Sequence, residues 1–512
     1  MKYFNLMNHT HSLETFLAGV LALLVLYGTP TQAAVPGITG IPGGTGINFN
    51  LTASADYITA PDGAMIYSWG YGCSPGFSPS FLPTTTDFPV GNCPLMQLPG
   101  PTIIVHQGDT VTVTLTNSLP VAAGNTSMLF PGFDVKSAGG VAGQLTTEAA
   151  PGIPATYTFT ANKPGTYSYF SGTRSDLQIE MGLYGALIVL PTISTGCTKG
   201  SYSLAASAYN DTASSVNPTC YDREYMMELS EMDIGIHQQV ESQKDGLGPI
   251  QATMEPYVPQ YFWYSGRSFP DSVDTPYSTS YPHQPYGFAP QIHPGERLLV
   301  RVLQHGRVQH PMHIHGNHAR ILARDGNLLL SETDPAKLAG PQTFTFTAIP
   351  GQTLDAIFTW TGKGLGWDVY NHHLPAGATP GPTLAGNPFL DLQPCYPDSG
   401  GFFTAASNPA ATPGVENYSE WCADHGKPIP VTPPDPRIVA NGQFYGGSPY
   451  LGLTGLGQQT LLAPGVLKQN PGAAYCYPWH SHHEREITTN NVFPGGLMTV
   501  MCVLPPNLPV SE

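Results

Sequence analysis

Two short segments of the chain carry histidines at a spacing suited to metal binding. Residues 310–316 read HPMHIHG and residues 479–484 read WHSHHE, so each contains two histidines separated by one residue. Successive side chains of a β-strand point to opposite faces, and each such pair therefore shares a face. Imidazole binds copper, zinc, iron and nickel, with metal–ligand bonds near 2 Å, so nitrogens of the two pairs should approach within about 5 Å. The predicted ligands are His313, His315, His480 and His482.

The polar side chains that flank these pairs are secondary candidates for ligands or counter-charges. His310 precedes His313 by three residues. A donor set dominated by imidazole favours copper or zinc over calcium, which takes oxygen ligands. The secondary candidates are His310, His483, Glu484 and Glu486.

The composition describes a large chain built from short elements. The 512 residues suffice for two to four domains, and 57 glycines with 52 prolines favour short strands and turns over long helices. Charged residues make up 11% of the chain, with a formal net charge of −16 and no run of Lys or Arg. Nucleic acids, which bind basic surfaces, are therefore not expected partners.

The N-terminus and the cysteines both predict export to the periplasm or the cell exterior. Residues 1–34 resemble a signal peptide, with Lys2 before an apolar run at 16–27 that is too short for an ordinary membrane span. The mature protein is therefore not expected to be bound to a membrane. The eight cysteines contain no C-x-x-C motif and are expected to form four disulfides in an oxidising compartment. Sequence leaves their connectivity open, and we predict that sequence neighbours pair, including Cys476 with Cys502.

Strand patterns separated by turns occur in two parts of the chain and predict an all-β fold. Residues 110–116 alternate Thr with Val or Leu, and residues 185–190 form an apolar run that closes a first sandwich. A second turn and strand at 294–302 leads into the first histidine pair. Residues 374–469 differ, because Pro, Gly, Ala and Ser dominate and few periodic segments occur. A structureless run of that length is unusual inside a compact domain, so it is either an insertion or a degenerate third domain.

These patterns divide the chain into five parts. The predicted parts are a signal peptide at 1–34, a flexible linker at 35–46, a first sandwich at 47–195, a second sandwich at 196–373 and 470–507, and the Pro/Gly-rich insertion at 374–469. Both histidine pairs then belong to the second sandwich, on strands that lie far apart in sequence.

The histidine motif resembles that of a known family. The segment at 310–316 resembles the His-Pro-x-His-x-His-Gly copper motif of multicopper oxidases, and 479–482 resembles their last copper motif. Residues 99–102 and 181–185 resemble the opening and the end of the first cupredoxin domain in that family. Residues 313–340 are similar to members related to bacterial manganese oxidases. The resemblance implies tandem cupredoxin-like Greek-key β-sandwiches and a copper cofactor. It also implies oxidation of a small-molecule or metal-ion electron donor.

The chain departs from this family at the copper ligands. The family's blue-copper site uses two imidazoles and a Cys thiolate. His310 matches one imidazole, but Ser481 replaces the cysteine and Glu486 replaces the second imidazole. The two His-x-His pairs of the first domain should fall at 126–132 and 168–173, and neither segment contains a histidine. The resemblance therefore implies that four histidines of the family's copper cluster remain and that no blue-copper site exists. It also implies that His310 stands apart from the cluster, in a polar, hydrogen-bonded pocket with Ser481 and Glu486.

The sequence thus supports an exported, divergent copper-binding protein that retains a mono- or dinuclear copper site with oxidoreductase activity. One alternative is a non-catalytic structural or partner-binding protein whose histidines are vestigial. Another is a redox enzyme to which a partner supplies electrons or missing ligands. A serine hydrolase is not expected at Ser481, because the chain lacks the Gly-x-Ser-x-Gly turn of such enzymes.

Overall fold

The computed structural model describes residues 35–44, 46–83, 92–192, 197–199, 202–203, 206–209, 219–293, 295–334, 337–360, 396–397, 403–404, 475–504 and 510. The predicted signal peptide and almost all of the predicted insertion lie outside these residues. No helix among the described residues is long and apolar enough to cross a membrane.

The first sandwich is formed by thirteen described strands and two single turns of helix. The strands are β1 (Gly37–Thr39), β2 (Ile41–Gly43), β3 (Gly46–Thr59), β4 (Met65–Cys73), β5 (Ser80–Leu82), β6 (Gly100–His106), β7 (Thr110–Asn117), β8 (Lys136–Gly139), β9 (Val141–Ala142), β10 (Thr147–Glu148), β11 (Ala155–Thr160), β12 (Gly165–Phe170) and β13 (Tyr184–Leu190). The turns of helix are a 3-10 helix, Val121–Ala123, and α1 (Ser175–Gln178).

These strands form two main sheets around one apolar core. One sheet has the order β12-β13-β6-β1-β5, and the other has the order β2-β3-β7-β11-β8 with β4 beside β3. The predicted alternation of β7 buries Val111, Val113 and Leu115, while the threonines between them stay half-buried. The all-β prediction is confirmed for this part of the chain.

The segment expected to be a flexible linker is instead part of the sheets. In β1, Ile38 pairs with Ile103 of β6 and with Phe81 of β5, and its side chain is fully buried. β2 pairs with the start of β3. The Gly/Pro content of residues 35–46 suggested a linker. Burial of Ile38 and backbone pairing of β1 with β5 and β6, and of β2 with β3, instead hold these two strands in the sheets.

The second sandwich contains the two histidine strands. Its strands are β18 (Arg223–Met232), β19 (Tyr261–Tyr264), β20 (Gln291–Ile292), β21 (Arg297–Gln304), β22 (His310–Ile314), β23 (Ala319–Arg324), β24 (Asn327–Leu328), β25 (Gln342–Thr343), β26 (Thr345–Ala348), β27 (Thr353–Thr359), β30 (Tyr475–Ser481) and β31 (Met498–Val503). The short pairs outside it are β14 (Thr198–Lys199) with β15 (Tyr202–Ser203), β16 (Ala206–Ser207) with β17 (Cys220–Tyr221), and β28 (Tyr396–Pro397) with β29 (Phe403–Thr404). Helices are α2 (Ile234–Gln243) and the 3-10 helices Asp271–Val273 and Glu484–Ile487.

Two sheets again enclose a core. One has the order β19-β18-β21-β27-β23-β24 with β25 beside β23, and the other has the order β20-β31-β30-β22-β26. Core side chains come from both histidine strands, including Met312, Ile314, Tyr477 and Trp479. The histidines that alternate with these residues must therefore face away from the core.

Buried contacts join the two sandwiches. An apolar cluster combines Tyr184 of the first sandwich with Met232 and Trp263 of the second. Arg301 is fully buried and contacts Glu224, while its NH1 atom donates to Thr166 of the first sandwich at 2.8 Å. The described residues accordingly all belong to one unit of the chain.

Three disulfides lie within the described residues, and each joins sequence neighbours as predicted. They are Cys73–Cys93, Cys197–Cys220 and Cys476–Cys502. The last bond joins residues that stand directly opposite each other on β30 and β31, beside the histidine pair of β30. The remaining cysteines, Cys395 and Cys422, lie outside the described residues, so their pairing stays a prediction.

Candidate metal centre

The two histidine strands are hydrogen-bonded neighbours in one sheet. β22 pairs antiparallel with β30, and His313 stands directly opposite His480. Directly opposite residues of an antiparallel pair project from the same face, and so do residues two positions away on either strand. This register brings both histidine pairs to one face at one end of the second sandwich.

The four imidazoles lie in mutual contact. The ring centre of His313 is 4.7 Å from that of His315, 5.5 Å from that of His480 and 4.9 Å from that of His482. His315 and His480 approach most closely, with 3.3 Å between their Nε2 atoms. The structure thus places the predicted ligands at one point, across 165 residues of sequence.

Hydrogen bonds orient these rings. His480 Nδ1 lies 2.7 Å from the backbone oxygen of Ser481, and His313 Nδ1 lies 2.7 Å from Thr345 Oγ1. A carbonyl oxygen only accepts, so His480 carries its proton on Nδ1 and presents the lone pair of Nε2 to the cluster. A second partner of this kind is typical of metal-binding histidines, because it fixes the tautomer and the ring plane. Trp479 Nε1 also donates to the backbone oxygen of His315 at 2.9 Å, which holds the end of β22 against β30.

The surroundings keep two of the rings neutral. Burial, together with the charge interaction with the neighbouring His480 and His482, lowers the pKa of His313 to about 4. Burial also lowers the pKa of His480. A histidine binds a metal only when it is unprotonated, so both rings are in the binding form at neutral pH.

The closest nitrogens have the separation that one metal ion requires. Two ligand nitrogens at about 2.05 Å from an ion in tetrahedral geometry lie about 3.3 Å apart. The distance between His315 Nε2 and His480 Nε2 has this value, and in the metal-free protein a shared proton would join the two atoms. Among the described residues, no three His, Cys, Asp or Glu side chains form a finished metal site in their present orientations. The donor set fits copper or zinc, and binding of one ion by more than two of these side chains requires some of the rings to rotate.

The four histidines of the cluster differ in solvent exposure. His313 is buried, His315 and His480 are half-buried, and His482 is exposed. The ring of Phe344, which is 46% exposed, meets those of His313 and His318 edge-on. A metal held here would have His313 beneath it and would be reachable from solvent on the side of His482.

His310 is not part of this cluster, as the family resemblance implied. Its Nδ1 atom lies 2.9 Å from Glu486 Oε2, and its Nε2 atom lies 3.1 Å from Glu231 Oε2. The same oxygen of Glu486 accepts a hydrogen bond from Ser481. Both nitrogens of His310 are therefore occupied by carboxylates, so the secondary candidates His310 and Glu486 bind each other instead of supplying ligands to the cluster.

These contacts make His310 a buried cation. Burial by itself lowers its pKa, but hydrogen bonds and charge from Glu231 and Glu486 outweigh burial and raise the pKa to about 9. For Glu231 burial raises the pKa, and the bonds from His310 and from the amides of Arg307 and Val308 reverse this and lower it. We call Glu231, His310 and Glu486 the charged triad.

The first sandwich has a neutral counterpart of this arrangement. Ser171 follows β12 as Ser481 ends β30, and its hydroxyl donates to Gln178 Oε1 at 2.6 Å. Thr126 donates to the same oxygen at 2.9 Å. All three side chains are fully buried. Hydrogen bonds thus fill this position, in line with the absence of histidines from 126–132 and 168–173.

The other secondary candidates lie at the edge of the site. His483 is largely exposed, with Nδ1 3.9 Å from Glu486 Oε1, and Glu484 is exposed in the 3-10 turn that follows.

Sequence reasoning missed Glu231 and Thr345. Glu231 carried a signal, since acidic residues at 224, 228 and 231 interrupt an otherwise strand-like segment. Thr345 carried none, because a threonine that alternates in a strand is common.

Comparison with protein families identifies two matching segments. Models described as multicopper oxidase match residues 96–193 and residues 253–363. The first match lies in the first sandwich, and the second includes β22 with its histidine pair.

Individual relatives match over about a fifth of the chain. A laccase of Aspergillus fumigatus is 38% identical over 98 residues, which are 19% of this chain and 16% of the laccase. An L-ascorbate oxidase of Brassica rapa is 37% identical over 98 residues, with shares of 18% and 16%. A copper-containing nitrite reductase of Alcaligenes xylosoxydans is 33% identical over 97 residues, with shares of 18% and 28%. The chain thus spans less than a third of the length of these relatives.

Solved structures also resemble the chain. A multicopper oxidase named mgLAC has a TM-score of 0.45 at 16% identity, and the match covers 91% of this chain and 88% of that one. A blue copper oxidase of Nitrosomonas europaea has a TM-score of 0.44 at 16% identity, with coverages of 89% and 85%.

Proposed function

We propose that the chain binds copper at the four-histidine cluster, because two of its segments match multicopper oxidase models and that family implies a copper cofactor. The observation that carries the proposal is the 3.3 Å separation of His315 Nε2 and His480 Nε2, with His480 fixed in the binding tautomer by Ser481. The proposed ligands are His313, His315, His480 and His482.

Hydrogen bonds hold two of the four proposed ligands in place. His313 and His480 are held by Thr345 and by the backbone of Ser481, so their rings are aligned before a metal arrives. Copper bound here would supply one-electron redox chemistry. Electrons would come directly from a small molecule or a metal ion, because the blue-copper ligands are replaced by Ser481 and Glu486.

We also propose that the protein is exported to the periplasm or the exterior. Three disulfides among the described residues support an oxidising compartment. The predicted signal peptide at residues 1–34 would direct this export. We further propose that the mature chain consists of two sandwiches, with residues 374–469 inserted into the second.

Copper titration of the purified full-length protein tests the proposed function. We expect one or two tightly bound copper ions per chain, measured by elemental analysis after removal of free metal, and no comparable binding of calcium. Failure to retain copper would leave a structural or partner-binding protein with vestigial histidines as the better account.

The copper-loaded protein is expected to lack the intense blue colour of a copper–thiolate site. Ser481 offers a hydroxyl that is already bound to Glu486, and the three disulfides leave the described cysteines without thiols. Absorption spectra recorded before and after copper addition check this expectation. An intense charge-transfer band in the red region after copper addition would contradict it.

A further inference from the structure

The charged triad lies directly behind the proposed copper ligands. Ser481 stands between His480 and His482 in sequence, and its side chain points to the opposite face of β30. There it binds Glu486, which also contacts His310. One imidazolium and two carboxylates give the triad a net charge of −1, and all three side chains are at most 5% exposed.

The hydrogen bonds that Glu486 accepts do not require a charged side chain. In the first sandwich the neutral carboxamide of Gln178 accepts the two equivalent bonds, from Ser171 and Thr126. A carboxamide therefore suffices for the cross-link. The carboxylate at Glu486 adds a buried negative charge on the sandwich that carries the histidines, and the four imidazoles supply none.

We propose that Glu486 is a specificity-determining residue that, through the charged triad, makes the four-histidine cluster prefer divalent over monovalent copper. This inference rests on the proposed function, because it assigns the charge preference of the same site. Glu484 also interacts electrostatically with His480, but it is exposed, so solvent screens its charge.

The size of the effect follows from distance and dielectric. Across the thickness of one strand and one histidine side chain, the Glu486 carboxylate lies roughly 10 Å from the proposed copper position. At an effective dielectric constant near 20, one buried charge at that distance changes binding roughly tenfold for each unit of charge on the ion. Loss of the charge should therefore weaken Cu²⁺ about tenfold more than Cu⁺.

The test compares Cu²⁺ and Cu⁺ affinities of the full-length protein and its Glu486→Gln variant at pH 6, using competing chelators for each ion. This variant installs the carboxamide found at Gln178, so it keeps an acceptor for Ser481, and Glu231 still holds the proton of His310. We expect the ratio of the Cu²⁺ to the Cu⁺ affinity to fall about tenfold. Glu486→Asp, which keeps the charge, should preserve the ratio.

Two further variants separate charge from packing. Ser481→Ala removes a hydrogen bond to Glu486 without altering charge, so the ratio should stay at the wild-type value. Glu231→Gln removes the other carboxylate and should lower the ratio, which keeps the proposal testable if Glu486→Gln does not fold. An unchanged ratio in the folded Gln variants would overturn the inference alone. Absence of copper binding by the wild-type protein would overturn the proposed function and this inference together.

Discussion

A variant with His313→Ala and His315→Ala is expected to bind copper at least about 1,000-fold more weakly than the wild-type protein. The change removes two of four imidazoles, including the buried His313 and one of the two nitrogens that lie 3.3 Å apart. A thousandfold loss corresponds to about 4 kcal/mol of binding free energy. Competition with a chelator of known affinity measures it, and the fold is checked by far-ultraviolet circular dichroism.

His318→Ala provides the matched control for this prediction. His318 lies at the rim of the site, where its ring meets Phe344 edge-on with 4.8 Å between ring centres, but it is not one of the four clustered rings. Its loss should change copper affinity by less than about threefold, which is under 1 kcal/mol. Equal losses in the two variants would mean that copper binds to surface histidines in general, and the cluster would then have no special role.

The cluster was predictable because it depends on local rules. Alternation along a strand decides which histidines share a face, and this rule grouped His313 with His315 and His480 with His482. That the two pairs meet followed from the family resemblance, since no local pattern joins strands that lie so far apart in sequence.

The charged triad was only half predictable for the same reason. The loss of the blue-copper ligands indicated a polar pocket around His310, Ser481 and Glu486, which the structure contains. The second carboxylate comes from Glu231, 79 residues before His310, on a strand of the other sheet. A glutamate in a strand is usually exposed, so its burial depends on tertiary packing that sequence patterns do not encode.

Three buried acidic residues of β18, including Glu231, depend on tertiary packing in the same way. Glu224 contacts Arg301, Glu228 Oε1 lies 2.8 Å from His305 Nε2, and Glu231 contacts His310. Each acidic residue thus meets a base from the chain segment that begins with β21, which runs parallel to β18. Parallel neighbours advance together, so a series of acids on one strand can meet a series of bases that follows the next.

The free energy of unfolding is expected to fall as pH rises from about 6.5 to 9.5, because the unfolded chain releases the proton of His310 near pH 6.5 whereas the folded protein keeps it up to about pH 9. Its pKa is about 9 when folded, against about 6.5 for an unfolded histidine. A raised pKa means that the folded state holds the proton more tightly, so this contribution is complete below about pH 6.5 and disappears through about pH 9. The loss is on the order of 3 kcal/mol.

Urea denaturation followed by tryptophan fluorescence, with His310→Gln as the reference, measures this loss. The variant has no proton to lose at this position, so its stability should be lower at pH 6.5 and should fall less than that of the wild-type protein toward pH 9.5. All other titrating groups are common to both proteins, and the difference between their free energies of unfolding therefore isolates His310. Because Glu231 has a lowered pKa, its own contribution is lost only as pH falls through that value, well below the range tested. Parallel pH profiles of the two proteins would mean that His310 is neutral in the fold, and the charged triad would then carry two negative charges without their cation.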